Sequence, residues 1–132
     1  MSYPPGIQWA TKPYWHTFVP GGTSTAIGTG SANTTKIIAQ NGAGVTYAAG
    51  LARAYSGGGY SDWYLPSKDE LNMLYLNRVA IGGFDTTSPP YYWSSSEYEN
   101  YPDVAWFQFF VVGSQNDGDK VGTGRVRAVR AF

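Results

Sequence analysis

The sequence contains no cysteine. A disulfide framework, thiol catalysis and zinc–thiolate sites are therefore excluded. An extracellular home is not, because a domain of 132 residues buries enough surface to fold without covalent staples. Charge is scarce too: 14% of residues are charged and the net charge is zero. With no basic excess to neutralise a run of phosphates, nucleic acid is not an expected partner. No apolar run reaches the roughly 20 residues of a membrane-spanning helix, so no membrane insertion is expected. Met1-Ser2-Tyr3-Pro4-Pro5 has neither the charged n-region nor the apolar h-region of a secretory leader. The chain reads either as a cytoplasmically made virion part or as a domain of something longer.

Rings, glycines and small polar residues are abundant. Seventeen glycines and eight prolines imply short elements joined by long loops. The aromatics crowd into the last third, where Tyr91, Tyr92, Trp93, Tyr98, Tyr101, Trp106, Phe107, Phe109 and Phe110 follow one another closely. That is more than one buried face of a small sheet needs, and rings exposed beside polar loops suit a binding surface. The competing reading places Phe107, Phe109 and Phe110 in a core, under helices on both faces of the sheet.

Residues 6–10 (GIQWA) and 14–19 (YWHTFV) read as short strands. Residues 31–40 read as a helix with Ser31 or Asn33 near the N-cap and Asn41-Gly42 as its stop. Residues 45–55 have helical spacing, with Val45, Ala48, Leu51 and Ala52 on one face. Trp63-Tyr64-Leu65 reads as a strand closed by Pro66, and Ser67-Lys68-Asp69-Glu70 as a capping box opening a helix that runs to about Asn77. Ile81-Gly82-Gly83-Phe84 and Ser88-Pro89-Pro90 read as loop. Strands are expected at 91–96, 104–112 and 125–132, with Asp117-Gly118 as a hairpin signal. Helices early and strands late predict one α+β domain, two or three helices beside a small antiparallel sheet with long loops.

Catalytic patterns are weak, and no catalytic residue, cofactor or metal site is expected. His16 lies between aromatics in an expected strand and reads as a hydrogen-bonded structural residue. Ser94-Ser95-Ser96 lacks the glycine elbow and nearby histidine of a serine nucleophile. Glu97 and Glu99 read as a solvated loop pair rather than an acid–base pair. Gly57-Gly58-Gly59 and Gly28-x-Gly30 lack the Lys-Ser/Thr that would complete a phosphate cradle. Asn116-Asp117-Gly118-Asp119 offers hard oxygens to calcium but no glutamate at the twelfth position, and reads as a polar hairpin tip.

Five segments together resemble a known family: TAIGTGSANT (25–34), YSGGGYSDWYLPSKDEL (55–71), YWSSSEY (92–98), Ala105-Trp106, and RVRAVR (125–130). They look like the Legionella collagen-like protein C-terminal-type domain, a bacterial and phage family with a C-type lectin fold. The resemblance runs from about residue 20 to the end. The ending, AW-x3-F-x2-G, a polar run, then K-x4-RVRAVRAF, is similar to the variable proteins of diversity-generating retroelements. In those systems error-prone reverse transcription at template adenines rewrites selected codons on a fixed fold.

The resemblance implies a division of residues. Framework positions would be Trp93, Ser94, Ser95, Ser96, Glu97, Tyr98, Ala105, Trp106, Phe110, Gly113, Lys120 and 125–132, with Trp93, Trp106 and Phe110 packed inward. Ligand-binding, diversified positions would be Glu99, Asn100, Tyr101, Pro102, Asp103, Phe107, Phe109, Val111, Val112, Ser114, Gln115, Asn116, Asp117, Asp119, Val121 and Thr123. Gln108 is assigned to neither set. An Asn codon ending in a pyrimidine, changed at its two adenines, reaches Tyr, Pro, Asp, Phe, Val, Ser and Thr; Glu99 and Gln115 need a purine-ended codon. The implied function is a hypervariable ligand- or receptor-binding domain on a virion or cell surface, recognising a protein or glycan on a host cell. Calcium-lectin motifs (Glu-Pro-Asn, Gln-Pro-Asp, Trp-Asn-Asp) are missing. The alternatives are a carbohydrate-binding lectin or glycan-active enzyme, and a structural domain whose apolar patch makes a homo-oligomer such as a trimer.

Overall fold

The computed structural model describes residues 6–86 and 90–130. Among the described residues four α-helices precede a three-stranded antiparallel sheet, so the fold is α+β. The helices are α1 (Gly30–Asn41), α2 (Ala48–Ala54), α3 (Lys68–Leu76) and α4 (Arg78–Ile81); the strands are β1 (Tyr91–Glu97), β2 (Val104–Phe109) and β3 (Gln115–Asp119). Ser88, Pro89 and the last two residues, expected as loop and strand end, lie outside the described residues.

The α3 N-terminus forms as its sequence predicts. Ser67 Oγ accepts the Glu70 N–H and Glu70 Oε1 accepts the Ser67 N–H at 2.8 Å, satisfying two orphan amides of the first turn. The box is also a tertiary joint. Glu70 is fully buried, and its Oε2 accepts the Gly28 N–H at 2.8 Å. Ser67 Oγ donates to the Ala26 carbonyl at 2.9 Å. The loop before α1 is thereby fastened to α3.

Elsewhere tertiary demands override local signals. The α1 N-cap is Thr29, not Ser31 or Asn33. Asn33 is buried and holds the Ser24 backbone and the Ser95 hydroxyl. The second helix starts at Ala48 rather than at Val45, which is exposed. Residues 6–10 make only the Ile7–Gly124 bridge of a strand; Trp9 N–H instead donates to the Lys120 carbonyl at 2.9 Å. Residues 14–19 are not a strand, because Pro13 opens a 3-10 turn (Lys12–Tyr14) and fixes φ against a ladder. His16 is consequently exposed, not a hydrogen-bonded strand residue. Trp63–Leu65 and 125–130 are extended segments joined through isolated bridges, Tyr64 with Val129 and Tyr92 with Arg125.

The hairpin differs as well. β2 ends at Phe109, and the turn to β3 spans 110–114, with Gly113 at φ 85°. Asp117-Gly118 is not the turn but the middle of β3, paired with Trp106 and Ala105. Packing explains the glycine. The Phe107 ring crosses the strand there, and a Cβ on Gly118 would stand 2.7 Å from it.

Neighbouring β1 residues face opposite ways, and each face has its own core. Trp93 and Ala105 pack with Trp9, Val19, Ile37, Tyr47 and α2 alanines. Tyr92 and Phe110 pack with Leu71, Leu74, Tyr64 and Val129.

Candidate functional site

The hairpin is held by a buried polar frame. Ser94, Ser95 and Ser96 are fully buried. Ser94 Oγ donates to the Trp106 carbonyl at 2.7 Å, Ser96 Oγ donates to the Ser24 carbonyl at 2.7 Å, and Lys68 N–H donates to Ser96 Oγ at 2.9 Å. The serine run is thus a set of ties from β1 to its neighbours.

Glu97 is part of the same frame and does not form a loop pair with Glu99. Its side chain is buried and meets Lys120 Nζ at 2.8 Å. Val19 N–H donates to the same carboxylate at 2.9 Å. Lys120, fully buried, also donates to the Thr17 carbonyl at 2.8 Å and lies over the Trp9 ring at 4.8 Å. Burial lowers the Lys120 pKa, against the raising effect of Glu97. Two charges taken from water require each other, so the end of β1, the end of β3 and the N-terminal segment are locked together.

Around this frame, none of the expected ligand-binding positions is buried. Glu99, Asn100, Tyr101, Val111, Val112, Ser114, Asn116, Asp117, Asp119, Val121 and Thr123 are exposed; Pro102, Asp103, Phe107, Phe109 and Gln115 are half-buried. They do not form one patch. Residues 99–103 lie in the β1–β2 turn and 111–114 in the β2–β3 turn, at opposite ends of a strand about 17 Å long.

The two faces of the hairpin also differ. Phe107 and Phe109 share one side with Tyr91 and Trp93, in the registers Tyr91↔Phe109 and Trp93↔Phe107. Phe107 lies 4.4 Å from the Tyr91 ring and 6.1 Å from that of Trp93. It is therefore a shoulder of the core, half-covered, rather than an outward anchor. Tyr91, absent from the expected set, belongs to this ring cluster, and its hydroxyl donates to the Thr123 carbonyl at 2.6 Å.

On the other side stands Trp106, expected inside but only half-buried. Lys68 Nζ sits 3.8 Å from its ring centroid, Tyr98 packs edge-on at 5.3 Å, and Tyr101 stacks on Tyr98. Gln108 on this side is fully buried and donates to Asn72 Oδ1 and the Gly113 carbonyl, which places it in the scaffold. Asp103, Asp119 and Val121 line a small recess with Trp15 and His16. These two N-terminal residues carry no local signal of their own, because only the chain's return past β3 brings them there.

Among the described residues no three His, Cys, Asp or Glu side chains form a group able to hold a metal ion, and no helix is long and apolar enough to cross a membrane.

Fold and surface define a small α+β domain in which a buried polar frame carries polar and aromatic loop residues outward. Residues 5–130 match the Lcl C-terminal domain, and the chain belongs to that family, named after the Legionella collagen-like protein. No curated protein matches it.

Proposed function

We propose that the domain is a ligand-binding module of a virion or cell surface, a C-type lectin-type scaffold whose exposed hairpin residues are exchanged by a retroelement to fit different host-surface partners. One observation carries this reading. None of the residues assigned to exchange is buried, although Phe107 leans on the core, while Trp93, Ser94, Ser95, Ser96, Glu97, Ala105, Phe110 and Lys120 are all buried. Rigid support beneath adaptable polar and aromatic side chains is the physical basis of antibody-like recognition. No residue here is assigned to catalysis.

The test is a library varied at Glu99, Asn100, Tyr101, Val111, Val112, Asn116, Asp117, Asp119, Val121 and Thr123, displayed and selected against one purified protein target. Most members should fold, and specific binders should emerge. Loss of folding as frequent as in a matched library at Trp93, Ser95 and Glu97 would refute the division. Flanking DNA offers a second check: a near-copy of the final coding stretch, differing at adenines and beside a reverse transcriptase gene, is expected.

A further inference from the structure

At the Glu97 end of the sheet, rings and carboxylates share one face. Across β2 and β3, Trp106 pairs with Asp117 and Val104 with Asp119, so both acids project on the Trp106 side of the pleat. Tyr101, 59% exposed, stacks on Tyr98 with ring centroids 5.8 Å apart. Beside Asp119 the open recess of about 120 Å³ is lined by Trp15, His16, Asp103, Asp119 and Val121.

Charge decides what this face accepts. The ion pairs among the described residues join Lys120 to Glu97, Arg125 to Asp85 and Arg130 to Asp62. Glu99, Asp103, Asp117 and Asp119 are in none of them. Lys120 is buried and committed to Glu97. Lys68 borders the face with its ammonium already over the Trp106 ring, which shows that the rings here take a cation. Asp103 feels the buried Lys120 ammonium, but the face as a whole stays negative: a polyanion would be repelled by it, and a neutral ligand would gain nothing from its charge. A basic side chain gains charge-assisted hydrogen bonds and ring contact at once.

We propose that this face binds a basic polypeptide segment, with a Lys or Arg side chain seated in the Trp15–Asp103–Asp119 recess and a neighbouring cation against Tyr101 and Asp117. The proposal rests on the display reading above and narrows its partner to a cationic protein surface for this particular set of residues.

The folded domain is titrated with a Lys/Arg-rich decapeptide, its Glu-substituted counterpart and a sulfated hexasaccharide, followed by amide NMR shifts. The basic peptide alone should bind, with shifts centred on Trp15, Tyr101, Asp103 and Asp119. Asp103→Asn combined with Asp119→Asn should weaken it about tenfold, because two close charge partners are removed. Raising salt from about 20 to about 300 mM should weaken it several-fold. Binding of the sulfated sugar in preference, or peptide binding unchanged in the double variant, overturns the proposal. The library selection separates the two readings. Its success beside failure of the peptide leaves display intact, and the reverse leaves a fixed basic-peptide site.

Discussion

Replacing Lys120 by methionine tests the contact that locks the hairpin to the N-terminal half. Lys120 and Glu97 are 0% and 6% exposed. The variant leaves the Glu97 carboxylate buried with the Val19 amide and the Thr23 hydroxyl but no cation. Stranding one member of a buried pair costs about 3–5 kcal/mol. In a domain of this size that lowers Tm by roughly 10 °C or more. Glu97→Gln strands the lysine instead and should cost a similar amount. The double variant buries no charge and should be at least ~2 kcal/mol more stable than the sum of the single losses predicts. Urea unfolding of all four proteins closes the cycle. Single losses below about 1 kcal/mol, or simple additivity, would refute the view that this pair is a mutually dependent lock. The pH dependence supplies a sign. Burial lowers the Lys120 pKa in the folded state from the usual 10.5. Between those two values the unfolded chain holds the extra proton, so this group's contribution to stability rises with pH. Tyr47, Tyr91 and Tyr92, whose pKa values burial raises above 10.0, act oppositely in alkali. The wild type minus Lys120→Met difference cancels the tyrosines and should show the upward slope.

Gly30→Ala places a Cβ 2.2 Å from Glu70 Oε1 and 2.9 Å from the Leu65 carbonyl. It should cost about 2–3 kcal/mol by overpacking the joint between α1 and α3, and an unchanged urea midpoint would show that the joint is loose. Phe107→Ser should cost about 2 kcal/mol, since its ring bears on Trp93 and Gly118, whereas Tyr101→Ala should stay within about 0.5 kcal/mol of wild type. Equal thermal stability of these two variants would contradict the division between core shoulder and free surface.

Local chemistry was legible wherever it is satisfied locally. The Ser67–Glu70 box, the Gly42 stop of α1 and the succession of helices and strands depend on residues within a turn or two of each other. Inward packing of Trp93 and Phe110 was also correctly anticipated. The facing of Trp106 and Phe107 was not. Alternation along β2 divides its residues into two sets but does not say which set is covered, and here each face is covered only in part. Asp117-Gly118 carries the usual hairpin signal, yet its glycine serves a ring crossing from the next strand.

Composition and motif alone pointed to an α+β domain resembling the Lcl C-terminal type, without cysteine chemistry and with an aromatic tail. Tertiary structure decided that Ser94–Ser96 are ties, that Glu97 finds Lys120, and that Trp15 and His16 meet Asp103 and Asp119. Those contacts join residues 12 to about 100 positions apart in sequence. A local pattern fixes the conformation of its own few residues; which distant side chain shares a buried space is settled only when the whole chain excludes water from it.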